Sequence, residues 1–230
     1  MTASTCNVEL FPSIAQVVRA LGGLIIDGSL LKHCVASLFR VTVGFYLAIV
    51  TAVPLGIVLG CYRTLYRIFN PVIQFLRPIS PLAWAPFAIL WFGIGDLPAI
   101  FIIFLASFFP LLIAAIDASA NINPIYFQVG ANLQLSRWGS FKNVILPAIL
   151  PNIMLALRMT MGVAWVVVVA AEMIGMKSGL GFLIVDGRDA LRLDRVAAAM
   201  VVIGLIGLVL DRVMLQLGAM ESLRWKSEQK

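Results

Sequence analysis

Two long stretches of the sequence, Val41–Tyr62 and Leu97–Ile116, contain no charged residue. Each reaches the roughly 20 residues that a helix needs to cross about 30 Å of hydrocarbon. The composition agrees, because 61% of the residues are hydrophobic and only 12% are charged, whereas soluble domains are about one-half apolar and one-quarter charged. Since a segment in lipid must satisfy its own backbone hydrogen bonds, we predict an all-α polytopic membrane protein.

The whole chain has room for about five membrane-spanning helices. The second of them carries Pro78, Pro81 and Pro86, and each proline removes a backbone donor and clashes with the preceding turn. We therefore expect that helix to be bent or restarted. No internal repeat divides the chain, which predicts a single transmembrane domain over residues 1–230. The predicted spans are about residues 35–62, 71–95, 97–116, 144–173 and 196–217.

The net charge of +6 comes from basic residues that are dispersed between the apolar spans. They form no stripe interleaved with aromatic residues, so no nucleic-acid partner is predicted. By alternation of the spans, the basic segments 63–77, 137–142 and 224–230 fall on one side, which the positive-inside rule assigns to the cytoplasm. The segment 175–195 on the other side carries both signs, so the difference between the two sides is moderate.

Metal-binding and catalytic patterns are missing from the sequence. Cys6, Cys34 and Cys61 have no CxxC spacing, and the single histidine, His33, adds no ligand set to them. Neither a nucleophile elbow nor a phosphate-binding loop occurs. We therefore predict no metal site and no cofactor in this chain, and a pore-forming role in place of an enzymatic one.

The segment between the third and fourth predicted spans, residues 118–143, is polar and rich in asparagine and glutamine. Two short helices joined by a turn would make it a compact knob outside the membrane. Gly130 and Ala131 are small, which lets a partner approach closely. The segment leads into Val144-Ile-Leu-Pro147, and Pro151 follows.

This loop resembles the EAA loop of ATP-binding-cassette importer permeases. In that family a Glu-Ala-Ala triplet precedes a glycine, and an Ile/Val-x-x-Pro ending leads into the next span. Glutamine stands here at the acidic position and Gln134 at the glycine position, whereas the ending matches. The resemblance implies that the loop docks in a groove of a cytosolic ATPase and couples it to the spans. The residues implied in this coupling are Gln128, Val129, Gly130, Ala131, Gln134, Ser136, Arg137 and Pro147.

Other segments extend the resemblance over nearly all residues from Phe11 onward. They include Ser37-Leu-Phe-Arg40, Arg77-Pro-Ile-Ser-Pro-Leu-Ala-Trp84, Ala170-Ala-Glu-Met173 and Gly179-Leu-Gly181. The chain looks most similar to the nitrate, sulfonate, taurine and bicarbonate branch. Permeases of that branch usually have six spans, so we expect the usual first span to be missing from this chain.

The resemblance also implies a function and a set of partners. The chain would be the permease of an importer for a small anion, working by alternating access in the bacterial inner membrane. A second permease chain, either a copy of this one or a paralogue, would complete the pore. Two cytosolic ATPase subunits would bind ATP and magnesium, an external binding protein would deliver the substrate, and membrane lipid would surround the spans.

One face of the fourth predicted span collects its unusual residues. Arg158, Gly162, Trp165, Val169 and Glu172 follow one another at steps of three or four residues, which places them on one helical stripe. A charge at bilayer depth costs on the order of 3 kcal/mol, so Arg158 and Glu172 should face protein or water. The stripe is a candidate translocation pathway, in which Arg158 offers an anion its donor fork. The alternative is that Arg158 neutralises an acidic residue of a neighbouring helix and that Trp165 packs.

Trp84 and Trp91 lie seven residues apart, on one face of the second predicted span. They are further candidates for lining the pathway, and anchoring at the membrane interface is the alternative. A self-contained secondary transporter or channel for a small anion is the alternative function, for which inverted repeats would be typical, and none is visible in the sequence. A membrane scaffold would have no use for a polar loop that ends in Ile-Leu-Pro.

Overall fold

The structure is a computed structural model of the chain, and it describes residues 12–123, 125 and 136–227, without the side chains of Arg137 and of 219–227. Its regular elements are all helical. The helices are α1 (Ile14–Ile26), α2 (Ser29–Cys61), α3 (Arg63–Leu76), α4 (Ala85–Phe92), α5 (Asp96–Ala120), α6 (Arg137–Ser140), α7 (Leu146–Glu172), α8 (Leu180–Asp189) and α9 (Leu193–Ser227). A 3-10 turn at Pro81–Trp84 precedes α4, and a π-helical turn at Phe141–Ile145 joins α6 to α7.

Four continuous helices are long and apolar enough to cross a membrane, and a bent pair of helices makes a fifth candidate span. The predicted all-helical fold with about five spans is therefore confirmed. The four helices extend beyond the apolar stretches seen in the sequence, because polar residues occupy their ends without breaking them. They are Ser29–Cys61, Asp96–Ala120, Trp138–Glu172 and Leu193–Gly218.

The second span differs from the single segment predicted over 71–95. The α3 helix begins at Arg63, and an 82° bend separates it from the Pro81–Phe92 segment. The expected break is thus confirmed, but α3 begins earlier, at Arg63, than the predicted start at about residue 71. The reason is that α3 is amphipathic: Arg63 and Arg67 lower its average hydropathy, while Ile68 and Phe75 expose their apolar side chains. Such a helix is suited to the membrane interface.

The core forms where α2 crosses α5, and two glycines of α2 bring the helix backbones together. A Cβ atom added at Gly56 would lie 2.7 Å from the carbonyl oxygen of Leu112. One added at Gly60 would lie 2.7 Å from that of Ile116. Small residues allow this close approach between membrane helices, where packing rather than the hydrophobic effect drives association.

The last helix, α9, contacts α7, α8 and α1 but remains mostly uncovered. Only 11% of its most apolar window is buried within the chain, compared with 56% for α5. Most of the α9 surface is therefore available to lipid or to another protein chain.

Candidate functional site

Part of the predicted coupling loop, residues 124 and 126–135, lies outside the described residues. Gln128, Val129, Gly130, Ala131 and Gln134 belong to that part, so their placement stays a prediction. The described end of the loop runs without interruption from α6 through the π-helical turn into α7.

The side chain of Ser136 caps the start of this continuous helix, because its Oγ accepts a hydrogen bond from the backbone N–H of Gly139 at 3.1 Å. Arg137 is the first residue of α6, and Pro147 is the second residue of α7. Proline lacks a backbone donor, and the wider π-helical turn immediately before it changes the hydrogen-bonding register at that point. The loop therefore ends in a segment that is rigidly continuous with a membrane span.

The stripe predicted on α7 divides into an exposed part and a buried part. Gly162 is exposed, with nothing within 4 Å of an added Cβ atom, and Arg158 is half-buried. Trp165 is buried against α9, where its indole Nε1 donates a hydrogen bond to the carbonyl oxygen of Ile203 at 3.1 Å. Glu172 is buried as well. The division arises because α8 and α9 fold back over one end of α7, which helical spacing alone does not reveal.

Arg158 forms an ion pair between α7 and α9. Its Nε and Nη2 atoms donate to the two carboxylate oxygens of Asp211 at 2.8 and 3.1 Å. The neighbouring acidic partner considered in the sequence analysis is thus present in the structure. Both side chains remain reachable from outside the chain, with 36% of Arg158 and 47% of Asp211 exposed.

Glu172 lies at the centre of a buried polar cluster that joins α2, α7 and the start of α8. The hydroxyl of Ser37 donates to both carboxylate oxygens at 2.8 Å. The backbone N–H of Gly181 donates to Oε2 at 3.0 Å, and Arg40 Nη1 donates to Oε1 at 2.7 Å. Every oxygen of this buried carboxylate therefore has donors, which is the condition for keeping a charge out of water.

Arg40 extends the cluster to α5 and to the loop that follows α7. Its Nε donates to Asp96 at 2.7 Å, and its two terminal nitrogens donate to the carbonyl oxygen and the hydroxyl of Ser178 at 2.7 and 2.6 Å. Only 2% of the Arg40 side chain is exposed. The guanidinium thus holds three chain segments together around Glu172.

The backbone of the loop fits closely around the same carboxylate. Gly179 has a φ of +113°, and a Cβ atom at this position would overlap the carboxylate of Glu172. Its N–H donates to His33 Nδ1 at 3.0 Å. Only glycine satisfies both the backbone conformation and the space.

The sequence analysis did not assign Ser37, Arg40, Asp96 or Ser178 to a site. A signal was present in Arg40, a charged residue next to the longest apolar stretch, three residues after Ser37 and on the same helical face. Its partners lie more than fifty residues away along the chain, so only the fold brings them together.

Trp84 and Trp91 do lie close together, on the segment after the bend. Their ring centroids are 6.3 Å apart, and the ring centroid of Phe87 lies 6.1 Å from that of Trp84 and 5.9 Å from that of Trp91. Trp84 also borders a groove of about 640 Å³ between this segment, α5 and α7. The groove is mostly apolar, and the charged residues Arg77 and Asp117 line it as well.

Within the described residues, no group of three or more histidine, cysteine, aspartate or glutamate side chains is placed to hold a metal ion. The candidate site consists instead of the groove beside Trp84, the exposed face of α7 with its ion pair, and the buried cluster around Glu172. Such an arrangement is typical of a membrane pathway for a polar solute.

The chain is similar to known transport permeases. The chain is 36% identical over 185 residues to the taurine transport system permease protein TauC of Escherichia coli, covering 80% of this chain and 67% of TauC. It is 36% identical over 222 residues to the nitrate import permease protein NrtB of Synechocystis, covering 96% of this chain and 79% of NrtB.

Among solved structures, the fold is similar to a chain of the MetNI methionine ABC transporter in an inward-facing conformation. The TM-score is 0.65 at 17% sequence identity, and the match covers 81% of this chain and 95% of that chain. Residues 52–219 also match the sequence profile of the family described as "Binding-protein-dependent transport system inner membrane component". The chain therefore belongs to this family: it is the multi-pass permease of an ATP-binding-cassette importer, and ATP is bound by its partner ATPase.

Proposed function

We propose that the chain moves a small oxyanion of the nitrate, sulfonate, taurine or bicarbonate class by alternating access. The observation that carries the proposal is Arg158, a partly exposed guanidinium on α7, within a helix long and apolar enough to cross the membrane. A cation in this position offers a passing anion two parallel donors. The names of TauC and NrtB, which refer to a sulfonate and to nitrate, support this class of substrate.

The pathway is proposed to run between two permease chains, along the exposed part of the α7 stripe and the segment after the bend. Arg158 and Gly162 would line it from α7, and Trp84 and Trp91 from the aromatic cluster around Phe87. Glu172 and Trp165 belong to the same proposed pathway as its supports, because both are buried and hold α7 against α2 and α9.

The binding-protein-dependent family implies an ATPase and a substrate-binding protein as partners. We propose a stoichiometry of two permease chains and two ATPase subunits. The loop that carries Gly130 and Ala131 would dock on each ATPase, with Gln128, Val129 and Gln134 at the contact. Ser136, Arg137 and Pro147 would transmit its movement, because the structure runs continuously from there into α7.

The proposal is tested with the intact complex of permease, ATPase and binding protein in proteoliposomes. ATP-dependent uptake is measured for labelled nitrate, taurine, methanesulfonate and bicarbonate. We expect uptake of at least one of these anions, and an arginine at position 130 (Gly130→Arg) to abolish it while ATP hydrolysis continues, because the larger side chain blocks docking of the loop.

The matched control is Gly23→Arg, at an exposed glycine of α1 with nothing within 4 Å of an added Cβ atom. This variant should transport like the unaltered complex. Uptake of none of the four anions by the unaltered complex would contradict the proposed substrate class. Unchanged uptake by the Gly130→Arg variant would contradict the proposed role of the loop.

A further inference from the structure

Arg40 and Arg158 each pair with a carboxylate on another membrane-spanning helix, and the pairs of Arg40 with Glu172 and of Arg158 with Asp211 differ in accessibility. In the pair of Arg40 and Glu172, the exposed fractions are 2% and 0%. In the pair of Arg158 and Asp211, they are 36% and 47%. The first pair is buried within the protein, whereas a ligand can reach both side chains of the second pair.

The accessible pair lies inside two membrane-spanning helices, nearer to the α6 end of the bundle than to the Glu172 end. Arg158 precedes Glu172, the last residue of α7, by 14 positions, or about 21 Å along the helix. Exposed Met159 and Gly162 lie beside it on α7, with open space in front of Gly162. Charges within a span face protein or water, or reach toward the nearer interface, so the surface around this pair is open to a polar ligand.

The geometry of the pair matches the edge of an oxyanion. Nε and Nη2 of Arg158 each donate to a different oxygen of Asp211. Nitrate, sulfonates and bicarbonate likewise offer two oxygens of one group to a guanidinium, whereas chloride offers one spherical surface. Asp211 therefore occupies the donors that an oxyanion would use.

We propose that Arg158 is an exchangeable anion subsite and that Asp211 is its resident counter-anion, which a transported oxyanion replaces in passing. The inference rests on the proposed function and names Asp211 as the residue that competes with the transported anion for Arg158. Ion pairs that are open to solvent contribute little net stability, so the exchange is cheap in both directions. Conduction needs this property, because a site that held the anion firmly would not release it.

Asp211 also acts as a selectivity element in this scheme. A chloride ion cannot replace both hydrogen bonds of the carboxylate, so it competes poorly for Arg158 while Asp211 is present. An oxyanion replaces both. Removing the charge of Asp211 should therefore raise the affinity for all anions and reduce the distinction between oxyanions and chloride.

The competing explanation is a purely structural tether between α7 and α9. Trp165 of α7 already packs against α9, because its ring would lie 3.2 Å from a Cβ atom added at Gly207. The two explanations differ for a variant that removes both charges and keeps the volume, Arg158→Met with Asp211→Leu. A tether is restored by such an apolar pair, whereas an anion subsite is lost.

The experiment uses the complete complex in proteoliposomes and the anion, among the four named above, that the unaltered complex transports. We expect Asp211→Asn to lower the KM for uptake about tenfold, the size of one charge-assisted hydrogen bond. Its kcat should fall and chloride should become an inhibitor. Arg158→Met and the double variant should both lose at least about tenfold in kcat/KM while the complex still assembles.

Recovery of uptake in the double variant would overturn the inference in favour of the tether. An unchanged KM and unchanged chloride sensitivity in Asp211→Asn would overturn it as well. Absence of ATP-dependent uptake by the unaltered complex is a separate result, because it contradicts the proposed function itself and the inference falls with it.

Discussion

Glu172 joins the helices at the end of the described bundle where α7 meets α8. Its buried carboxylate receives hydrogen bonds from Ser37, Arg40 and Gly181, which belong to different segments of the chain. A buried carboxylate is tolerated only when such donors surround it. An amide at this position keeps one acceptor oxygen but turns its NH2 group toward the remaining donors, so the position resists even isosteric replacement.

We expect Glu172→Gln to destabilise the folded permease by about 3 kcal/mol, the usual cost of removing one partner of a buried ion pair. An amide group would face donors that now point at a carboxylate. Thermal unfolding of the detergent-solubilised complex measures the effect. The control is Asp189→Asn, in the exposed pair with Arg188, where 65% and 63% of the two side chains are exposed.

The control variant should change stability by less than about 1 kcal/mol, because exposed ion pairs contribute little. If both variants unfold at the same temperature as the unaltered complex, the cluster around Glu172 does not stabilise the fold.

The sequence identifies single residues that are unusual for a membrane span, but it does not identify the residues that they contact. A charge inside an apolar span marks Arg158 and Glu172, and the spacing places both on one stripe. The sequence does not show that Glu172 meets Arg40 while Arg158 meets Asp211, because these contacts join residues 132 and 53 positions apart. Their surroundings depend on where α2, α8 and α9 return.

At the scale of the helices, the contact of α2 with α5 depends on glycines that let the backbones touch. We expect Gly56→Val to separate the two helices, since the added Cβ alone would lie 2.5 Å from that of Ala115. Overpacking of this kind costs typically about 1–3 kcal/mol. Thermal unfolding in detergent should show a clear loss of stability.

The matched control is Gly204→Val on α9, where nothing lies within 4 Å of an added Cβ atom. Both glycines are inside membrane helices, so the change in helix propensity is common to both variants. Equal stability of the two variants would mean that α2 and α5 do not pack as closely as described.

Helices were predictable where their apolar residues are continuous, as in α5, and less so where polar residues share the helix. The prolines after Arg77 correctly predicted a break. The start of α3 was missed because Arg63 and Arg67 share a helix with apolar residues, which a search for uncharged stretches excludes. The length of α2 was underestimated for the same reason, since Lys32 and His33 lie within it.

At the scale of the whole molecule, the described spans place α1, α8 and the cluster around Glu172 at one end of the bundle, and α6 at the other. The basic segments 63–77 and 137–142 lie at the α6 end, which the positive-inside rule assigns to the cytoplasm. A single crossing by α7 separates Trp138 from Leu191. Both side chains are well exposed, at 73% and 88%.

We therefore expect opposite labelling of Trp138→Cys and Leu191→Cys in a chain whose own cysteines are replaced by alanine. A membrane-impermeant maleimide applied to intact spheroplasts should label the variant at position 191 only. The variant at position 138 should react after the membrane is opened. Labelling of both from the same side would contradict the crossing by α7, and the reverse pattern would contradict the orientation.

The two arginine–carboxylate pairs also constrain how the chain is made. Arg40 is synthesised 132 residues before Glu172, and Arg158 is synthesised 53 residues before Asp211. At about 5–20 residues per second, Arg158 is made several seconds before Asp211 exists. Arg40 gains Asp96 as an earlier partner, 56 residues after its own synthesis, whereas α7 carries the uncompensated charge of Arg158 until α9 follows, which disfavours its release into lipid. A ribosome that stops before α9 would leave Arg158 in this state, and quality-control proteases would have a means of distinguishing the unfinished chain.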